Sequence, residues 1–74
     1  MPLKTILYTK EGCHLCHEAE DVLRRYGLVP ELVDIESDPI LEEKYRLEIP
    51  VVSIDGVVRF RGRVNEVLLK RILR

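Results

Sequence analysis

Residues Glu11–Glu20 read EGCHLCHEAE and hold both cysteines and both histidines of the 74-residue chain. Three chemistries fit these letters. Cys13-His14-Leu15-Cys16-His17 matches the Cys-x-x-Cys-His pattern of covalent haem attachment. Two cysteines and two histidines could make a compact zinc site. A Cys-x-x-Cys pair that opens a helix could be a thiol–disulfide redox centre. The flanking sequence decides among them.

On the N-terminal side, Leu3–Thr9 (LKTILYT) is β-rich and apolar on both faces, as a central strand would be. Lys10-Glu11-Gly12 breaks it. Helical spacing begins near Cys13, with Cys16, Ala19, Val22, Leu23 and Tyr26 along one face and Glu18, Glu20, Asp21, Arg24 and Arg25 on the rest. Gly27 is a helix stop, and Pro30 follows it. The cysteines therefore fall at a strand-to-helix turn.

Further along, Val29–Ile35 (VPELVDI) is a second strand, with Pro30 near its start as on an edge strand. Ser37-Asp38-Pro39 is a helix start, with Asp38 or Ser37 as N-cap and Pro39 in the first turn. That helix runs to about Leu47, and its periodic set is Ile40, Leu41, Lys44, Tyr45 and Leu47. Pro50 leads a strand, VVSI. Asp55-Gly56 then turns a hairpin into VVRFR. Gly62 ends that strand. Val64, Val67, Leu68 and Ile72 form the apolar stripe of a last helix, with Asn65 or Arg63 near its start. The order is βαβαββα, an α/β fold. The first β–α–β unit implies parallel strands and a right-handed crossover. The whole is a four-stranded mixed sheet with helices on both faces, in one domain over residues 1–74.

Composition narrows the function classes. A chain of this length buries only roughly 60–65% of its unfolded surface. A Cys13–Cys16 bond closes a tiny loop worth about 2 kcal/mol, too little to hold a fold. The cysteines therefore point to chemistry rather than architecture. Net charge is −1, so no global field favours nucleic acid or membrane. No apolar run approaches the ~20 residues of a membrane span, and the N-terminus carries no signal-peptide pattern. A cytoplasmic monomer is expected, and Cys-x-x-Cys pairs in that compartment are mostly catalytic or metal-binding.

At the N-terminus of a helix, unsatisfied N–H groups and the macrodipole stabilise a thiolate. Cys13 is thus expected to titrate below the free value of about 8.5. Lys10 and protonated His14 add positive charge, and Glu11 opposes them. Cys16, one turn deeper and aligned with Ala19 and Val22, is expected to be buried and less ionised. That asymmetry suits a pair in which Cys13 attacks a disulfide and Cys16 displaces the product.

Three segments now resemble the glutaredoxins of the thioredoxin superfamily: ILYTKEGCHLC, YGLVPELVDIESDP and IPVVSIDG. The match spans nearly the whole chain. It is narrowest with small glutaredoxin-like proteins that carry Cys-x-Leu-Cys. The resemblance implies a thioredoxin-like fold and a thiol–disulfide oxidoreductase active in electron transport. Cys13 is then the nucleophile, Cys16 the resolving thiol and Pro50 a cis-proline. Lys10 would meet a carboxylate of glutathione, and Ile49 would offer backbone hydrogen bonds to a bound thiol peptide.

This sequence departs from that pattern at several positions. His14-Leu15 replaces the usual Pro-Tyr or Pro-Phe. Gly62-Arg63-Val64-Asn65 replaces Gly-Gly-x-Asp, so Asn65 stands where the pattern has an acid. Gly12 stands where thioredoxins have Trp. The first strand lacks their buried acid, which leaves water, His17 or Glu11 to take the proton of Cys16.

The rivals fit less well. Haem attachment suits mostly helical proteins matured outside the cytosol, and the only Met is the initiator. Zinc normally draws its ligand pairs from separate segments. The alternative with a chemical basis is a thiol-based carrier of metal or an iron–sulfur cluster, shared in a dimer. No tightly bound cofactor is expected, with glutathione a candidate reductant beside a thioredoxin-reductase-type donor. Protein or small-molecule disulfides are the expected substrates.

His14 is the candidate tuner of Cys13, and His17 reads as solvent-facing. Arg59, Arg61 and Arg63 read as the charged face of an edge strand, with Arg63 close enough to the cysteines to attract an anionic thiol or an acidic partner surface. Tyr8, Tyr26, Tyr45 and Phe60 read as packing residues.

Overall fold

The computed structural model describes residues 3–74; Met1 and Pro2 lie outside the described residues. Strand β1 (Thr5–Thr9) leads into helix α1 (His14–Arg25), and β2 (Glu31–Asp34) follows. A short 3-10 turn at Ile35–Ser37 precedes α2 (Pro39–Tyr45). The hairpin β3 (Val51–Ile54) and β4 (Val57–Arg61) comes next, and α3 (Glu66–Ile72) ends the chain. The strands lie in the order β2-β1-β3-β4. β1 is central, parallel to β2 and antiparallel to β3.

Local chemistry sets most boundaries. α1 closes in a Schellman arrangement: Leu28 N–H donates to Leu23 O, and Gly27 N–H to Arg24 O, both at 3.0 Å. Leu28, just past the stop, is buried. Asp38 caps α2, its Oδ1 accepting from Ile40 N–H at 2.9 Å, and Pro39 occupies the first turn. Asp55 and Gly56 make the hairpin turn with φ of 51° and 84°, as a two-residue turn between twisted strands requires.

Alternation along the strands builds two cores. Leu7, Val52, Ile54 and Phe60 meet Ala19 and Leu23 of α1 and Leu69 of α3 on one face. Val51 meets Ile35 and Tyr45 on the other, joined by Tyr8, Leu41 and Val58. α1 and α3 therefore cover one face and α2 the opposite one. Tyr8 and Tyr45 stack with ring centroids 4.8 Å apart, which confirms their packing role.

Three expectations are corrected. The second helix was expected to reach Leu47 but ends at Tyr45, and the amides of Glu48 and Ile49 both donate to Tyr45 O. The chain must leave helical geometry before Pro50, because a residue preceding proline disfavours it. Ile40 and Leu47, expected on the apolar face, are 75% and 85% exposed, since a helix this short turns little more than Leu41 and Tyr45 inward.

The apolar stripe of α3 also differs. Leu69 is fully buried, with Ile72 and Leu73 packed alongside, while Val67 and Leu68 are exposed. The run Val67-Leu68-Leu69 leaves the helical phase ambiguous, and contact with the sheet chooses it.

The third correction concerns the arginines. β4 pairs Val58 with Ser53 but Phe60 with Val52, so Arg59 is an extra, bulged residue. The bulge reverses the alternation. Arg61 then stands beside Val51 on the α2 face, where its Nη1 donates to Glu48 Oε1 at 2.6 Å. That hydrogen bond, and then the carboxylate charge, raise the Arg61 pKa. Arg59 and Arg61 do not form one simple charged face.

Candidate active site

Gly12 reverses the chain after β1 with φ of 79°, a left-handed conformation that glycine adopts at little cost. Cys13 follows as the N-cap of α1, in extended geometry. Its Sγ accepts the Cys16 N–H at 3.2 Å. Cys13 is half-buried and Cys16 is 2% exposed. The two are joined in a disulfide, with Cα atoms 5.2 Å apart. An N–H aimed at a sulfur is the kind of contact that stabilises a thiolate, and Cys16 lies one turn below Cys13.

The Ile49–Pro50 peptide is cis, and Pro50 is fully buried. β1 and β3 pair Tyr8 with Val51. The same register carried one residue further sets Pro50 across from Thr9, at the end of the sheet where the cysteine turn begins. Gly62 N–H donates to both Glu48 O at 2.9 Å and Pro50 O at 2.8 Å, which fastens the proline loop to the end of β4. Ile49 is half-buried against the α2-side core.

The outer residues separate into groups. Arg63 lines a small cavity with Leu15, Glu18 and Ala19 of α1, so it does lie beside the first turns of that helix. Lys10 is exposed and borders a cleft of about 350 Å³ with Glu36, Glu42 and Arg46. The His14 side chain is 88% exposed, its Nε2 3.9 Å from Glu18 Oε1; it leans along the helix. Asn65 caps α3, where its Oδ1 accepts from Val67 N–H at 3.0 Å and Leu68 N–H at 3.1 Å. Tyr26 Oη donates to Glu66 at 2.8 Å and ties α3 to α1.

A second cavity, of about 240 Å³, lies against Cys16 between α1 and β2. Sequence reasoning missed it. Its signal is the β1–β2 register, which pairs Leu7 with Leu32 and Thr9 with Asp34. Among the described residues, no three His, Cys, Asp or Glu side chains converge as metal ligands. No helix among them is long and apolar enough to cross a membrane.

A family model described as Glutaredoxin-like domain (DUF836) matches residues 4–74. The chain belongs to this glutaredoxin-like family. Solved structures share its fold, among them the following two. The solution NMR structure of protein Ne2328 from Nitrosomonas europaea is 23% identical, covers 97% of this chain and 92% of its own, and gives a TM-score of 0.86. The crystal structure of a variant of the thioredoxin-like protein BC3987 is 21% identical, with coverages of 95% and 94% and a TM-score of 0.70. The glutaredoxin-like chain is thus a thioredoxin-type four-stranded sheet with a close cysteine pair at the start of α1.

Proposed function

We propose that this glutaredoxin-like domain is a cytoplasmic thiol–disulfide oxidoreductase that cycles between Cys13–Cys16 dithiol and disulfide. The observation that carries the reading is Cys13 Sγ at the α1 N-cap, accepting a backbone N–H at 3.2 Å and bonded to the buried Cys16 sulfur. The Cys13 thiolate attacks a substrate disulfide, one substrate thiol leaves, and a mixed disulfide forms. The Cys16 thiolate then attacks Cys13 Sγ and releases the second thiol. Two electrons pass to the substrate, and the Cys13–Cys16 bond stores the oxidation until a donor reduces it.

The rim supplies recognition. Pro50 and the backbone of Ile49 border the cysteine turn and would align an extended thiol peptide. Lys10 on one side and Arg63 on the other offer cations to its carboxylates. Asn65 supplies only its amide N–H groups, because its oxygen is committed to the α3 cap. Glutathione and a thioredoxin-reductase-type protein are both suitable donors.

Turnover with a model disulfide, driven in parallel by glutathione or by thioredoxin reductase, tests the reading. Activity with either donor that vanishes in Cys13→Ser supports it. A protein that purifies anaerobically as a coloured, cysteine-dependent dimer, with no turnover, would replace it with a cluster carrier.

A further inference from the structure

Resolution needs the Cys16 thiol to lose its proton, yet Cys16 is only 2% exposed. The strand beneath it offers no ionisable acceptor, because Leu7 and Thr9 are the β1 residues on that side. The cavity of about 240 Å³ is the space in contact with Cys16 that also reaches ionisable groups. Its floor is the paired Leu7–Leu32 and Thr9–Asp34 of β1 and β2. Its roof is Cys16, His17 and Glu20 of α1, and the turn Lys10–Gly12 closes one end. The volume accommodates several water molecules.

Five groups in that lining carry or exchange protons. Lys10 is a cation and accepts none. Glu20 Oε2 is engaged by Arg24, with Nη2 at 2.9 Å and Nε at 3.0 Å. Asp34 Oδ1 accepts the Glu36 N–H at 2.8 Å, as the cap of the 3-10 turn. Glu11 lies in the turn, and a carboxylate is a weak base for a thiol. An imidazole is better matched to a thiol proton and exchanges it with solvent in the neutral range. His17 is the one imidazole lining the cavity.

We propose that His17 accepts the Cys16 proton through this cavity, making the groove between α1 and β2 the proton exit of the resolving step. This rests on the oxidoreductase reading above. The step balances: the Cys16 S–H proton moves to His17, and the Cys16 thiolate attacks Cys13 Sγ. The bond from Cys13 to the substrate sulfur breaks, and that sulfur leaves with the electron pair. His17 then passes its proton to the departing thiolate or to water.

Stopped-flow mixing of reduced protein with a chromogenic aromatic disulfide separates the two steps. The Cys13 attack is the phase that scales with reagent concentration. The Cys16 attack is the concentration-independent phase. In His17→Gln the first phase is expected unchanged, because His17 lines a cavity that Cys16 borders and Cys13 does not. The second is expected to be about 10–100-fold slower near neutral pH and to converge on the wild type as alkali ionises Cys16 directly. A second phase within about twofold of wild type at every pH overturns the proposal. So does the same slowing in Glu11→Gln, Glu20→Gln or Asp34→Asn with His17 intact. A wild type that shows no Cys16-dependent second phase overturns the oxidoreductase reading itself, so the two failures are distinguishable.

Discussion

At the start of α1 a sulfur, Cys13 Sγ, accepts one backbone N–H at 3.2 Å; at the start of α3 an amide oxygen, Asn65 Oδ1, accepts two, at 3.0 and 3.1 Å. Both side chains cap a helix, and their chemistry differs. Asparagine ranks among the best N-caps, whereas cysteine stands outside the preferred set. At α3 the N–H groups are spent on a neutral oxygen that only holds the helix. At α1 one N–H faces the Cys13 sulfur, which can become an anion once its disulfide is reduced. A helix start is a structural device or a reactive one according to the single atom placed on it.

The largest test exchanges the atom at α1. Cys13→Ser keeps a capping side chain, so urea unfolding of the reduced proteins should differ by less than about 1 kcal/mol. Disulfide reduction should fall to the uncatalysed background. Retained turnover would move the nucleophile to Cys16.

The next test attacks α3 from beneath. Leu69→Ala should lower stability by about 2–5 kcal/mol. Leu68→Ala, at a position 43% exposed, should cost far less, and equal losses would mean the helix phase is wrong. The α3 cap itself comes third. Asn65→Ala should cost about 1 kcal/mol, read as a lower urea midpoint at unchanged slope, with Cys13 reactivity preserved. A large drop in Cys13 reactivity would show that α3 reaches the chemistry.

The smallest effect is expected at His14. His14→Ala should leave the ultraviolet thiolate titration of Cys13 where it was, since the ring leans towards Glu18. A displaced titration would show that His14 tunes Cys13.

These contrasts also mark what the sequence could show. The α1 cap, the α2 cap and the Asp55-Gly56 turn were legible because each depends on a few neighbouring residues. Pro50 was legible through family resemblance, since nothing local demands its isomer. The phase of α3, the exposure of Ile40 and Leu47, and the bulge at Arg59 were not, because contacts between distant segments fix them. The cavity beside Cys16 belongs to the second group. Glu20, Leu32 and Asp34 gave no motif, and only the pairing of β1 with β2 brings them under α1.

The shared proton of Gly62 has a consequence for how the rim responds to load. One N–H binds the carbonyls of Glu48 and Pro50, and the next residue along the chain is Arg63. This amide joins the two banks of the cysteine turn at the end of the ladder, beyond the Val51–Arg61 pair. Its deuterium exchange would act as a gauge: slow while the banks move as one piece, and faster when a docked protein prises them apart.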